Sequence, residues 1–123
     1  MSCVSKGKWV PEWGEVRMNN MLEGRPDWCI SRQRYWGIAI PAFEDVETGE
    51  VLCNSKTVSH VRDLVREKGS GIWFEDDYGA EELVPDSIRP KEFKGKKLKK
   101  LNDIFDVWFE SGSSHRSVVM ARN

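Results

Sequence analysis

RPDWCISRQRYWG, residues 25–37, and DVWFESGSSH, residues 106–115, are the two stretches on which the reading of this 123-residue chain turns. In the first, Arg32, Gln33 and Arg34 crowd three long polar donors between the apolar side chains of Ile30 and Trp36. Packing alone gives no reason for that crowding, so something outside the chain is expected to receive the donors. In the second, the β-branched and aromatic run Ile104–Phe109 reads as a strand with Asp106 inside it. Glu110–Ser114 has the composition of a loop, and His115–Met120 can start a helix. Strand, loop, helix is the order that a nucleotide-binding α/β fold uses.

Between these stretches the chain alternates helical and extended signals. Pro11 suits a first helical turn, Trp13, Val16, Met21 and Leu22 recur at helical spacing, and Gly24 with Pro26 supplies a stop, which predicts a helix over 11–23 with its stripe in a core. Ile38, Ile40 and Phe43 alternate around Pro41 as an edge strand would, and Val51–Cys53 is expected to return as the second strand of a hairpin. With Thr57 as N-cap, Val58, Val61, Leu64 and Val65 predict a helix over 58–68, ended by Gly69. His60 lies off that stripe and reads as a surface residue. Ala80–Val84 allows a short helix before Pro85. Residues 1–8 read as a frayed terminus or a cloning remnant.

Composition excludes several classes. With 39% hydrophobic and 32% charged residues the chain is globular rather than disordered, and a net charge of -1 draws it as a whole to neither nucleic acid nor membrane. Charge is patterned, however. Residues 75–86 are acidic, while 91–100 carry six lysines and one glutamate, a run that either grips phosphate or forms a wet amphipathic face. Cys3, Cys29 and Cys53 form no Cys-x-x-Cys pair and have only His60 and His115 to supplement them, so no metal site is expected. Unpatterned cysteines, with no export signal and no long apolar span, fit a cytoplasmic protein without membrane contact. His115 lacks an identifiable partner and Ser111, Ser113 and Ser114 sit in no nucleophile elbow, so no catalytic residue is assigned.

KWVPEWGEVRMNNMLEGRPDWCISRQRYWGIAIP, residues 8–41, and DIFDVWFESGSSHRSVV, residues 103–119, resemble the class I aminoacyl-tRNA synthetases, and among them the isoleucine enzymes. The leucine enzymes share the SRQRYWG string but not DVWFESGSSH, and the valine enzymes usually alter both. The resemblance implies a fold class of α/β to α+β, part of a Rossmann-type catalytic core with a small α+β insertion. Residues 9–41 would be the core segment that follows the editing domain, 42–102 the insertion, and 103–123 the next core segment. HIGH-type and KMSKS-type motifs, which bind ATP in this class, do not occur here. The chain is therefore expected to be a fragment, inactive alone, of an enzyme that joins L-isoleucine to its tRNA with ATP and magnesium as substrates. No cofactor is expected in the fragment.

Residue by residue, the resemblance implies that Trp108 lines the pocket around the aliphatic substrate, where residue chemistry alone would read a core tryptophan. The loop Ser111–Ser114 would lie at its rim, with Gly112 letting backbone pass close to ligand. Arg32, Gln33 and Arg34 would hold the single-stranded acceptor end of tRNA, with Tyr35 and Trp36 as stacking faces. The alternative for the arginines is pairing with carboxylates that fix the junction between core and insertion. For the whole chain the alternatives are a freestanding nucleic-acid-binding module using Arg32, Arg34 and the 91–100 lysine run, a purely structural insertion, or the valine or leucine sibling enzyme. A severed core piece would expose apolar surface around Trp28, Trp36 and Trp108 and self-associate.

Overall fold

The computed structural model describes residues 3–122. They fall into two compact units, one ending at Ile30 and one beginning at Ser31. In the first, the Trp9 indole Nε1 donates to Val4 O at 2.9 Å. A turn closed by Gly14 N–H on Pro11 O leads into helix α1, Gly14–Glu23. The helix starts at Gly14 rather than Pro11 because that turn takes up Pro11–Trp13 and no side chain caps it earlier. Its stripe is not core within this chain: no residue of α1 is buried, and Trp13 is 62% exposed.

The second unit rests on a long antiparallel pairing between residues 38–45 and 98–105. Strand β2, Phe43–Asp45, lies between β3, Val51–Leu52, and β4, Leu98–Lys100. Farther along, Ala39 bridges Ile104 in the same register that joins Phe43 to Lys100 and Asp45 to Leu98. Leu101 N–H donates to Ala42 O, Ile40 N–H to Asp103 O and Phe105 N–H to Ile38 O, at 3.0, 3.0 and 2.8 Å. The ladder is interrupted beside Pro41, which faces Asn102 as a pair that exchanges no cross-strand bonds, so the donor lost to the ladder is the N–H of Ala42. There Ala42 N–H turns back to Ile40 O at 2.8 Å, a γ-turn in place of a cross-strand bond. On its other edge Ile104–Phe105, strand β5, pairs with β1, Ser31–Arg32.

The expected hairpin is present, with strands Phe43–Asp45 and Val51–Leu52, but β2 is the central strand of three rather than the expected edge strand, because β4 pairs along its other side, and the core packs on it. Phe43, Leu52, Val61, Ile72, Trp73, Leu83, Val84, Phe93 and Leu98 form one cluster. Phe43 and Trp73 meet with ring centroids 5.2 Å apart, and the Trp73 indole donates to Leu101 O at 3.0 Å. Helix α2, Ser55–Lys68, begins three residues before the expected start. Asn54 is its N-cap, accepting from Lys56 and Thr57 N–H, while the Thr57 hydroxyl accepts from Asn54 N–H and so closes a capping box. Thr57 serves the cap without being it. His60 is half-buried rather than exposed. A short helix, α3, spans Ala80–Leu83.

Two buried charges hold the loops to this core. Arg89, 4% exposed, donates to Val84 O and Lys96 O and pairs with Glu81 at 2.7 Å. Asp45, 1% exposed, accepts from Lys96 Nζ at 2.8 Å, the Thr48 hydroxyl at 2.6 Å and Glu47 N–H at 3.0 Å. The Lys96 ammonium first, then the Thr48 hydroxyl and the Glu47 N–H, holds the Asp45 carboxyl well below the usual carboxylate range. The lysine run is partly structural: Lys96 meets Asp45, Lys99 meets Glu44, and Lys100 donates to Glu75 O.

Toward the C-terminus the expected strand 104–109 is only two residues long. Asp106 caps helix α4, Val107–Ser114, which continues into a π-turn at His115–Val119. The expected loop Glu110–Ser114 is helical because the Asp106 carboxylate caps Trp108 N–H at 2.8 Å, and the Ser113 hydroxyl donates back to Glu110 O at 2.7 Å. Strand propensity in Val107–Phe109 yields to the cap. Every strand pairing among the described residues is antiparallel, so the unit is α+β.

Because the Asp45 carboxyl is depressed on folding, the stability it contributes is fully present above the ordinary aspartate pKa of about 3.9 and is lost as pH falls below it. Asp45→Asn is expected to lower the Tm at pH 7, and thermal scans from pH 7 to pH 3 should show the gap to wild type narrowing below about pH 4.

Candidate functional site

The RQRYWG bend and the start of α4 meet across β5. Register sets Arg32 opposite Ile104 and Ser31 opposite Phe105. Gly37 closes the bend at φ +152°, and a Cβ there would stand 2.5 Å from Ile104 Cδ1, so the bend approaches β5 as closely as only glycine permits. Phe105 and Phe109 stack with centroids 4.4 Å apart and hold the first turn of α4 against the strand.

Asp106 joins the two stretches. Buried to 7% exposure, it accepts a hydrogen bond and ion pair from Arg32 Nη2 while capping α4 at Trp108. Arg32 Nη1 also donates to Ser31 O at 2.7 Å. This is the carboxylate pairing that the sequence left open. Gln33 Nε2 donates to Asp103 Oδ1 at 3.1 Å, a second link from bend to stem. Arg34 differs: it is exposed, with no hydrogen bond or ion pair to any described residue.

Two hollows flank Arg34. One, of about 550 Å³, is lined by Arg32, Arg34, Trp36, Asp106 and Trp108. The other, of about 470 Å³, is lined by Arg34, Tyr35 and Gln33 on the bend and by Phe74, Asn102 and Asp103 opposite. Trp108 is 72% exposed and Trp36 90%, so neither is a core residue in this chain. Gly112 lies within α4, and a Cβ there would meet nothing within 4 Å, so no close backbone passage demands it. His115 Nδ1 lies 3.0 Å from Gly112 O. Sequence reasoning missed Asp106, Phe74, Asn102 and Asp103 as parts of the site. An aspartate directly ahead of a run that can be helical is an N-cap signal and could have revealed Asp106.

The whole chain, residues 1–123, matches the family described as tRNA synthetases class I (I, L, M and V). The chain belongs to the class I tRNA synthetases. It is 50% identical to the isoleucine–tRNA ligase of Bacillus licheniformis over 99% of its residues. It is 46% identical to that of Moorella thermoacetica over 99%, and to isoleucine–tRNA ligase 1 of Bacillus cereus over 100%. It spans about 13% of the length of each of these relatives.

In this synthetase segment Asp106 does two tasks that substitutions separate. Asp106→Ala removes both the cap and the partner of Arg32 and should cost about 2–4 kcal/mol in urea unfolding. Asp106→Asn keeps an acceptor for Trp108 N–H and should cost less than half as much.

Proposed function

We propose that the chain is a segment of the catalytic domain of an isoleucine–tRNA ligase, the enzyme that joins L-isoleucine to its tRNA with ATP. The observation that carries this reading is the shared hollow: Trp108 and the arginine-bearing bend, far apart in sequence, line one space of about 550 Å³. The reported relatives, all isoleucine–tRNA ligases by name, favour isoleucine over the leucine and valine siblings. We assign residues 9–41 and 103–123 to the Rossmann-type core and 42–102 to an insertion. In support, the apolar cluster runs from Phe43 to Leu98, inside that insertion.

In the whole enzyme the indole of Trp108 forms one wall for the branched side chain of isoleucine. A missing methylene in such a pocket is worth only about 1–3 kcal/mol, so discrimination needs a rigid wall. The Asp106 cap and the Phe105–Phe109 stack supply that rigidity. Arg34, whose guanidinium is uncommitted, takes a phosphate of the tRNA acceptor end, with Gln33 beside it. Arg32 acts at one remove, by fixing Asp106. Catalysis by this segment is positional: amino-acid activation and transfer to a ribose hydroxyl depend on alignment and electrostatic stabilisation, and no side chain here serves as acid, base or nucleophile. ATP and magnesium belong to the whole enzyme. Among the described residues no three carboxylate, imidazole or thiol groups converge, so no step is assigned to a metal here.

The freestanding nucleic-acid module is the weaker reading, since Lys96, Lys99 and Lys100 of the lysine run are engaged within the fold. Among the described residues no helix is long and apolar enough to cross a membrane, and we place the enzyme in the cytoplasm. With Trp36 and Trp108 exposed, the isolated chain should self-associate.

Two measurements on the full-length enzyme test the proposal. Trp108→Ala is expected to raise the KM for isoleucine in ATP–pyrophosphate exchange about tenfold or more, and an unaltered KM would place the indole outside the pocket. Arg34→Ala should raise the KM for tRNA, whereas Arg32→Ala should act on isoleucine through Asp106 and Trp108. Identical effects of the two substitutions would refute the division of roles.

A further inference from the structure

The second hollow shares Arg34 and Gln33 with the reading above, but its aromatic walls, Tyr35 and Phe74, and its amide, Asn102, have no role in it. Its walls come from three segments: Tyr35 and Arg34 on the bend, Phe74 after the turn that carries Trp73, and Asn102 with Asp103 on the stem. Each wall is held. The Trp73 indole donates to Leu101 O, Lys100 Nζ donates to Glu75 O beside Phe74, and Gln33 donates to Asp103. Within this framework Tyr35 is fully exposed, Phe74 is 52% exposed, and Asn102 is exposed.

Two aromatic faces, an uncommitted guanidinium and an amide in a space of about 470 Å³ match one class of ligand closely. A nucleotide offers a π-face to stack, an anionic phosphate to pair, and base edges for an amide. An aliphatic ligand would leave Arg34 and Asn102 unanswered, and a free anion would leave both rings unused. Position narrows the choice further. If the terminal ribose of tRNA must reach an amino acid in the Trp108 hollow, the preceding unpaired nucleotide lies one step away, and Arg34 lines both spaces.

On the functional reading given above, we infer that the cleft between Tyr35 and Phe74 is a subsite for an unpaired nucleotide just before the 3′-terminal one of tRNA. The base stacks between the two rings, its edge meets Asn102, and the phosphate linking it to the terminal nucleotide pairs with Arg34. The insertion thereby contributes to holding the acceptor end through Phe74.

The test uses the full-length enzyme and equilibrium binding of isoleucine tRNA, intact or shortened by its two terminal nucleotides. Tyr35→Ala, at a fully exposed position that cannot collapse the fold, and Phe74→Ala should each weaken binding of intact tRNA about tenfold. Tyr35→Phe should restore it. Neither alanine variant should differ from wild type with shortened tRNA. Wild-type affinity for intact tRNA in both alanine variants would overturn the inference, leaving the cleft as a seam covered by other parts of the enzyme. So would equal losses with intact and shortened tRNA, which would place the contact elsewhere on the tRNA body. Failure of the broader reading is visible separately, as wild-type enzyme that shows no isoleucine-dependent pyrophosphate exchange.

Discussion

The antiparallel ribbon formed by 38–45 and 98–105 is the constraint on which the second unit depends. Its single register brings together two ends of a segment of about sixty residues, and everything between them then needs only short-range connections to fold. One end of the ribbon carries the hairpin and the apolar cluster. The other delivers β5 to β1 and so sets the arginine-bearing bend against the cap of α4. A one-residue slip would turn Phe43 and Leu98 away from the core and, in the same motion, separate Arg32 from Asp106.

Buried charge organises the irregular parts of this unit around its apolar cluster. In a segment so rich in acids and lysines, Asp45 and Arg89 are nevertheless buried, and each answers several groups at once. Arg89 takes up backbone carbonyls that the irregular stretch around Pro85 and Pro90 cannot pair within a helix or sheet. Asp45 organises the turn at Glu47–Gly49 and fastens it to β4 through Lys96. Lone charges at these depths would be costly, and the surrounding donors and acceptors are what make them tolerable.

Much of this was legible in the sequence where local pattern and tertiary context agree. Whereas the pairing of the bend with a carboxylate was one of two open alternatives and its partner, Asp106, was not identified, the α2 stripe and the turn around Thr48–Gly49 each follow from residue types at short range. Two features did not, for different reasons. The run Ile104–Phe109 has strand propensity throughout, but a cap formed by Asp106 and anchored by a residue more than seventy positions earlier ends the strand after Phe105. The stripe of α1 has core periodicity and yet no buried residue, because periodicity shows that a face is apolar and not what covers it. The second hollow was invisible for a third reason: Tyr35, Phe74 and Asn102 share no spacing that a linear reading could detect, and tertiary contacts such as Trp73 on Leu101 O and Gln33 on Asp103 bring their segments together.

The γ-turn at Pro41 has a mechanical consequence. Cross-strand bonds on both sides make the ribbon stiff, and the rung that Ala42 N–H withholds by turning back to Ile40 O is its weakest point in bending. Any tilt of the appended module relative to the arginine bend should concentrate there, as at a fulcrum. A small rotation about that point would move Phe74 along an arc past Tyr35, opening or narrowing the gap between the rings while leaving the Arg32–Asp106 clasp at rest.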